Sequence, residues 1–331
     1  MFKGLAILLV VVGHLNTGSF IHNLIYSFHL PAFIFVSGIF FKERKNIKEF
    51  FQKDLKSLII LFLFFAIIWL IFDYVQRYAM FTLLGADKPM QIVTYLKNSA
   101  VALLLGNANI TGVSFGPVWY LVMIALIRAI YYALNKLIKG KKIICVSIIS
   151  IICYIIGAFA LNGVSNMPYY FASALTGLIF FHIGRLFKTK TKTAENIKPV
   201  TATIGALILT VVLGVLVWFT ESTNLGNNAY DVPVAVLPVA LIGIALLVCT
   251  SIVLTKVKIF TKFLSYLGEN SLSIMGWHSE IRIVTLFAVS LIGVDNKIIK
   301  LIIVLLATLL LCVPFNKITN LLIKVINHKK E

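Results

Sequence analysis

The stretch SLIILFLFFAIIWLIFDY, residues 57–74, decides the class of fold, because Asp73 is its only charged residue. A helix needs about 20 mostly apolar residues to cross a hydrocarbon core about 30 Å thick. Similar runs recur along all 331 residues, of which 60% are hydrophobic and 13% charged, with a mean hydropathy of +0.98. Soluble domains carry roughly 25% charged residues. The sequence therefore predicts an all-α integral membrane protein, a polytopic helical bundle.

About ten transmembrane helices are predicted, and residues that break or cap helices fall at their ends. Gly116 and Pro117 open the fourth span and Pro233 opens the eighth, where a missing backbone N–H is tolerated. Gly268 to Ser271 offer polar capping groups before the ninth span. The predicted spans are 4–20, 24–41, 57–74, 117–138, 143–161, 169–187, 200–220, 233–254, 271–293 and 298–316.

The basic residues predict how these helices are oriented. The net charge is +18, but the lysines and arginines lie in short clusters between apolar runs, and nucleic-acid-binding proteins instead gather them on one face. With the N-terminus in the cytoplasm, 23 of the 30 fall in inside segments and five in outside segments. Cytoplasmic loops carry an excess of Lys and Arg. We therefore expect both termini of this multi-pass protein to be cytoplasmic.

No second domain is predicted, and residues 1–331 are interpreted as one transmembrane domain without a separate soluble domain. The long outside segment, 75–116, contains the apolar run 101–105, a candidate for a re-entrant or surface helix. The first apolar run lacks a small-residue cleavage site, so it is interpreted as a retained helix. The four cysteines lie inside apolar runs and match neither a disulfide framework nor a zinc spacing.

Ionisable side chains inside membrane spans usually mark a functional path or pocket, and six of those in the predicted spans stand out. They are His14, His29, Arg128, His278, Glu280 and Arg282. Counting about 1.5 Å of helix rise per residue from the inner surface places these groups roughly 12–18 Å deep. Four helices therefore bring ionisable groups to one depth, which predicts a buried polar site near the midplane. Arg282 shares a helix face with His278, whereas Glu280 does not share one with Arg282.

Each of these residues also has a structural interpretation. A single histidine in a membrane helix often only hydrogen-bonds a neighbouring helix, and His182 is interpreted in this way. In the second span Pro31 frees a carbonyl group beside His29, although packing alone would explain the proline equally well. His29, Phe33 and Ser37 form a stripe along one face of that helix. A midplane cluster of this kind also suits a transporter or flippase that relays protons or binds its substrate.

Four motifs occur in order along the chain: KGLAILLVVVGH at 3–14, FHLPAFIFVSG at 28–38, GPVWYL at 116–121 and LGENSL at 267–272. Together they resemble the membrane acyltransferase-3 family, whose members O-acylate sugars of bacterial surface polysaccharides. The resemblance covers essentially the whole chain and favours an enzyme over a transporter. It implies a location in the bacterial cytoplasmic membrane.

The resemblance implies that an acyl group, most simply acetyl, moves from cytoplasmic acyl-CoA to a hydroxyl of a surface polysaccharide or its precursor. It places the catalytic histidine at His14, whose imidazole either takes the proton of the attacking hydroxyl or accepts the acyl group itself. Burial favours the neutral form that a base needs. His29 and His278 are supporting candidates. Arg128 or Arg282 would stabilise the oxyanion of the tetrahedral intermediate.

The donor, acetyl-CoA or another acyl-CoA, is expected at the basic inner face. Its phosphates would lie near Lys53 and Lys56, with Lys3 also in the donor site, although the positive-inside rule alone would place lysines there. The family often has an Arg-x-x-Arg pair where this chain has Lys53 and Lys56, which keeps the charge but loses the bidentate guanidinium fork. No permanently bound cofactor, metal ion or nucleic acid is expected. The acceptor stays open among a polysaccharide, a lipid-linked sugar, a peptidoglycan sugar and a small hydroxylated metabolite.

Overall fold

The chain folds into a bundle of helices, and the computed structural model describes residues 1–15, 17–191, 196–294 and 296–328. The helices are α1 (Phe2–Gly13), α2 (Ser19–Tyr26), α3 (His29–Phe40), α4 (Ile47–Phe50), α5 (Lys56–Leu84), α6 (Ile92–Leu105), α7 (Trp119–Leu137), α8 (Lys142–Ile155), α9 (Phe171–Phe187), α10 (Pro199–Thr220), α11 (Pro233–Leu254), α12 (Lys258–Glu269), α13 (Ser271–Leu291) and α14 (Lys297–His328). A π-helical turn, Phe51–Leu55, joins α4 to α5, and a second, Ile156–Ala160, extends α8. Two short antiparallel strands, β1 (Thr223–Asn224) and β2 (Ala229–Tyr230), form a small hairpin.

The predicted all-α membrane bundle is confirmed. Eight helical segments in the described ranges, with α2 and α3 counted together as one, are long and apolar enough to cross a membrane, and they coincide with eight of the ten predicted spans. The ninth predicted span corresponds to α13, which has 21 residues. The first predicted span, 4–20, is wrong at its far end, because α1 stops at Gly13. A helix of 12 residues is about 18 Å long, too short to cross a core of about 30 Å.

Local sequence explains why α1 is short. Gly13 is a weak helix former, and Gly18 has a φ of 98°, a conformation that favours glycine and cannot continue a helix. The missing side chain of Gly13 also lets α2 fold back closely, because a Cβ there would lie 3.0 Å from Ile25 Cγ2. His14 is the residue at which α1 ends. It therefore lies at the tip of a helix, where its side chain can meet groups from several others.

The second predicted span is divided into α2 and α3 by Ser27 and Phe28. The ring of Phe28 packs onto α11 at Gly243, where a Cβ would collide with it. Pro31 lies in the first turn of α3, where its missing N–H breaks no bond within the helix. Because of this break, His29 is the first residue of α3, and α2 is a separate helix.

The connections between helices gather at two opposite ends of the bundle. At the first, called the basic end, the loops after α3, α7 and α9 meet: Lys136 Nζ donates to the Lys45 carbonyl at 2.8 Å, and Arg185 pairs with Glu43 at 3.3 Å. At the other, called the far end, Asn107 Nδ2 donates to the Ser165 carbonyl at 2.8 Å. The far end also holds the β1–β2 hairpin and α6, which lies in the predicted surface segment.

Glycines allow the closest helix contacts around the site. A Cβ at Gly38 of α3 would collide with the Phe181 carbonyl of α9, and a Cβ at Gly184 of α9 would collide with the Phe35 carbonyl of α3. At the basic end Gly4 of α1 packs in the same way on the backbone of α12, a helix that was not predicted. These contacts hold α3 against α9 and α1 against α12, while α1 meets α3 directly where the rings of Phe2 and Phe35 have centroids 6.2 Å apart.

Candidate active site

Three of the predicted histidines meet between α1, α3 and α13. The rings of His14 and His278 have centroids 5.0 Å apart and stand edge to face. Tyr26 links His29 to this pair, since its ring centroid lies 6.0 Å from that of His14 and 4.8 Å from that of His29. His29 and His278 are fully enclosed, with 2% and 0% of their surface exposed. The structure therefore brings together the three histidines that the sequence placed at one depth.

The backbone fixes which nitrogen of each imidazole is basic. His14 Nδ1 lies 2.8 Å from the Val10 carbonyl, His29 Nδ1 lies 2.8 Å from the Ile25 carbonyl, and His278 Nδ1 lies 2.9 Å from the Ile274 carbonyl. A carbonyl oxygen only accepts hydrogen bonds, so Nδ1 carries the proton in each neutral ring. The lone pair that can take a further proton is then on Nε2.

The surroundings of Nε2 differ among the three rings. Ser279 Oγ lies 3.3 Å from His278 Nε2 and donates to it. His14 Nε2 has no hydrogen-bond partner in the part of the chain that the structure describes. His29 Nε2 likewise has no described partner, but His29 lines only one of the two cavities that His14 lines, and His278 lines neither. Among the three, His14 is thus the base that reaches both cavities.

Two further residues of the cluster, Tyr26 and His22, were not predicted. His22 stacks on Tyr26 with ring centroids 3.9 Å apart, and its Nδ1 lies 3.2 Å from the Gly13 carbonyl. The sequence carried one usable signal, because His22 and Tyr26 are four residues apart and share a helix face. That signal was missed because His22 was placed in an outside loop instead of in α2.

His14 and Tyr26 line two neighbouring cavities. The first, called the aromatic cavity, has a volume of about 270 Å³ and is lined by α1, α3, α7 and the far-end loops. Its wall includes Phe33, Trp119, Tyr120, Tyr170, Asn224 and Asn227. The second, called the basic cavity, has a volume of about 600 Å³ and lies between α1, α2, α13 and α14. Its wall includes His22, Arg282, Lys297 and Lys300.

Arg282 belongs to the histidine cluster, as its position one turn from His278 predicts. It lines the basic cavity together with His14, and its buried Nε has no hydrogen-bond partner among the described residues. Glu280 is 8% exposed and also has a buried oxygen, Oε2, without a partner in the described chain. Arg282 and Glu280 form no described ion pair, in agreement with their different helix faces.

Arg128 lies apart from the histidines. Its Nε and Nη2 donate to Ser37 Oγ at 3.1 and 3.0 Å, and its Nη1 lies 3.8 Å from the Asp54 carboxylate. Ser37 is eight residues beyond His29 on α3, which is about 12 Å of helix rise. A depth count locates the backbone and not the end of a long side chain, and Ser37 and Asp54 hold the guanidinium of Arg128 towards the basic end. The prediction that Arg128 joins the midplane cluster is therefore wrong.

The basic end contains a second group of paired ions. Arg44 Nε donates to Asp54, and this hydrogen bond raises the pKa of Arg44 above its ordinary value. Lys53 Nζ donates to Glu49 Oε1 at 2.8 Å, so one of the predicted donor-site lysines is already paired. Lys56 is half-buried at the start of α5 and has no described hydrogen-bond partner. Asp54 was missed because only cations were counted in this loop, and Arg44 was counted only for its charge.

Lys3 lies at the basic end, in the first turn of α1. Its Cβ is 3.4 Å from the position that a Cβ would take at Gly268 of α12. The side chain is half-buried. Lys3 thus lies on the basic-end side of the bundle, eleven residues or about 16 Å of helix rise from His14.

The interpretation of His182 as a residue that only hydrogen-bonds neighbouring helices is confirmed. Its Nδ1 lies 3.1 Å from Tyr131 Oη and its Nε2 lies 2.8 Å from Ser147 Oγ. These partners come from α7 and α8, so the imidazole joins three helices and has both nitrogens occupied. It lines none of the described cavities around the site.

The comparisons with known proteins fit this geometry. A family model described as an acyltransferase domain matches residues 1–317, nearly the whole chain. Neither the search of curated proteins nor the search of solved structures gives a match. The family match and the membrane-embedded bundle agree with the resemblance carried by the four motifs. The chain therefore belongs to the membrane acyltransferase-3 family and is a membrane acyltransferase.

Proposed function

We propose that this acyltransferase moves an acetyl group from acetyl-CoA to a hydroxyl of a bacterial surface polysaccharide or its precursor. The observation that carries the proposal is His14: its Nδ1 is tied to the Val10 carbonyl, and the ring lines both cavities. A hydroxyl must lose its proton as it attacks a thioester, and a positioned neutral imidazole supplies the base. The two cavities leave room for a donor on one side of His14 and an acceptor on the other.

The reaction then proceeds in two steps at His14. Nε2 takes the proton of the acceptor hydroxyl while the hydroxyl oxygen attacks the thioester carbonyl carbon. The carbon–sulfur bond of the tetrahedral intermediate then breaks, and the leaving thiolate of coenzyme A receives the proton from the imidazolium. The products are an acetyl ester and coenzyme A, with His14 neutral again.

Arg282 is the better candidate for stabilising the oxyanion. It lines the same cavity as His14 and its Nε is without a described partner, so a donor is available to the developing charge. Arg128 instead holds Ser37 and the Asp54 carboxylate. His278 supports the His14 ring from one side. His29 contacts Tyr26, which lines both cavities, and so orients the cluster from the other side.

The donor's phosphates would bind at the basic end, which we propose is cytoplasmic together with both termini. Lys56 and Lys3 are the predicted lysines without a described carboxylate partner, while Lys53 would have to exchange Glu49 for phosphate. The thioester would lie against the inner wall of the aromatic cavity, formed by Ile7, Val10 and Phe33.

This orientation has a direct test. Asp87 and Lys190 are exposed at the far and basic ends, respectively. Cysteines introduced at Asp87 and Lys190, in a variant lacking the native cysteines, should react with a membrane-impermeant reagent from the periplasmic and cytoplasmic sides, respectively. Reaction of both from one side would contradict the proposed orientation.

The function itself is tested with purified protein in lipid nanodiscs and acetyl-CoA. We expect release of free coenzyme A thiol, because water can replace the acceptor hydroxyl, and loss of that release in His14→Gln. A transporter would neither hydrolyse acetyl-CoA nor exchange its acetyl group. Equal thiol release by wild type and His14→Gln, or none by either with any hydroxylated acceptor added, would overturn the proposal.

A further inference from the structure

The basic cavity is lined by positively charged side chains that the positive-inside rule does not explain. Lysines at the basic end follow the positive-inside rule, but Lys297 and Lys300 stand at the start of α14, at the far end, where that rule disfavours them. They are two of the five Lys and Arg residues in the predicted outside segments. Both line the basic cavity together with Arg282, so three cations face one space.

These three cations have no carboxylate within 4.0 Å in the described part of the chain. At the basic end, Arg44, Lys53 and Arg128 each have a carboxylate within 4.0 Å. The described residues that line the basic cavity include no acidic side chain. Lys297 and Lys300 are also three residues apart on one helix face, where like charges repel. A buried donor such as Arg282 Nε is costly to leave unpaired. An oxyanion in the cavity would relieve all three effects.

The size and shape of the cavity indicate more than a single ion. Its volume of about 600 Å³ is more than twice the 270 Å³ of the aromatic cavity. Leu286, Leu301 and Val304 give it an apolar wall beside the cations. A sugar that carries an anionic group presents both kinds of surface. His14 lines the same cavity, so a hydroxyl of the same molecule can reach the base.

We propose that the acceptor is an anionic glycan, whose phosphate or carboxylate binds Arg282, Lys297 and Lys300 in the basic cavity and so holds a hydroxyl at His14. The Arg282 guanidinium has five N–H donors, so it can bind this anion and also donate to the oxyanion of the intermediate. This inference rests on the proposed function for the role of the hydroxyl, but the binding of the anion does not depend on it. It names the chemical class of the acceptor and the three residues that select it. A neutral glycan would leave the cations unpaired and would bind more weakly.

The test measures binding to purified protein in nanodiscs by calorimetry, without acyl-CoA. The probes are glucose 1-phosphate, glucuronate, neutral glucose and inorganic phosphate. We expect one or both anionic sugars to bind, glucose to bind far more weakly, and the variant Lys297→Gln with Lys300→Gln to raise the Kd of the bound anionic sugar by about tenfold or more, because charge-assisted hydrogen bonds are lost. The phosphate and carboxylate arms show which oxyanion is preferred.

A matched control removes two lysines from α12 at the basic end, Lys258→Gln with Lys262→Gln. It changes the net charge equally and should leave the Kd unchanged. Equal binding of glucose and the anionic sugars, or equal loss in both double variants, would overturn the inference. Inorganic phosphate that binds as tightly as the anionic sugars would show a site for a lone ion and would also overturn it. Failure of thiol release from acetyl-CoA would instead count against the proposed function.

Discussion

His14 and His182 are both histidines of membrane helices, and their surroundings differ in one decisive respect. His182 has both nitrogens occupied, by Tyr131 and Ser147, and joins α7, α8 and α9. His14 has one nitrogen tied to its own helix and the other without a described partner, beside two cavities. A histidine in a membrane helix therefore does not by itself indicate a catalytic role. A catalytic role is indicated when the basic nitrogen is held in place, has no hydrogen-bond partner and opens onto a cavity.

The largest expected effect follows from removing the unpaired nitrogen. His14→Ala should lower acetyl transfer by a factor of about 10² to 10⁴, which is the usual contribution of a positioned general base. Transfer is measured in membranes with the amount of folded protein normalised. Retention of most activity in His14→Ala would place the base elsewhere, at His29 or His278.

The next effect concerns the support of His14 by His278. The two rings are in edge contact at 5.0 Å, so His278→Ala opens space beside His14. A misplacement of about 1 Å at a reacting group can reduce the rate about 10²-fold. We expect a loss of that size in kcat, with the Kd for acetyl-CoA unchanged. A change confined to donor binding would show that His278 acts at the donor site instead.

The basic end offers the same comparison between paired and unpaired groups. Lys53→Ala with Lys56→Ala should raise the Kd for acetyl-CoA by about tenfold while the protein still inserts and folds. Lys56→Ala alone should account for most of the effect, since Lys53 is paired with Glu49. Lys139→Ala with Lys141→Ala is the control of equal charge. An unchanged Kd in the variant Lys53→Ala with Lys56→Ala would show that these lysines only orient the protein in the membrane.

The smallest effect comes from breaking a pair on purpose. Glu49→Gln should free Lys53 and lower the Kd for acetyl-CoA by about twofold to fivefold, because an exposed ion pair is weak and easily exchanged. Titration calorimetry at low ionic strength resolves a change of this size. A raised Kd would indicate that Glu49 positions Lys53 for the donor rather than competing for it.

Much of the fold could be predicted from the sequence, because apolar run length and the distribution of lysine and arginine follow from the membrane itself. Eight predicted spans coincide with helices long enough to cross the bilayer. The end of α1 could not be predicted, because apolar residues continue to Leu15 and the break depends on Gly13, Gly18 and the packing of α2. Hydropathy shows which residues are apolar, but it does not show where a helix ends within the membrane.

The site could be predicted in part for a related reason. Counting residues along each helix gives depth, and depth correctly grouped His14, His29, His278 and Arg282. It does not give the direction of a long side chain, which is why Arg128 was grouped with them although Asp54 and Ser37 hold its guanidinium towards the basic end. The two lysines of the basic cavity were counted only as exceptions to the positive-inside rule. The sequence does not show that they line one cavity with Arg282.

The role of His14 as the base is best tested by making the same conservative substitution at His14 and at His182. Glutamine keeps hydrogen-bonding capacity but cannot take up and return a proton near neutral pH. Acetyl transfer is measured for His14→Gln and His182→Gln in parallel, per amount of folded protein. We expect a loss of about 10²-fold or more in His14→Gln and near wild-type transfer in His182→Gln, if His14 is the base. Substantial transfer by His14→Gln would contradict that role.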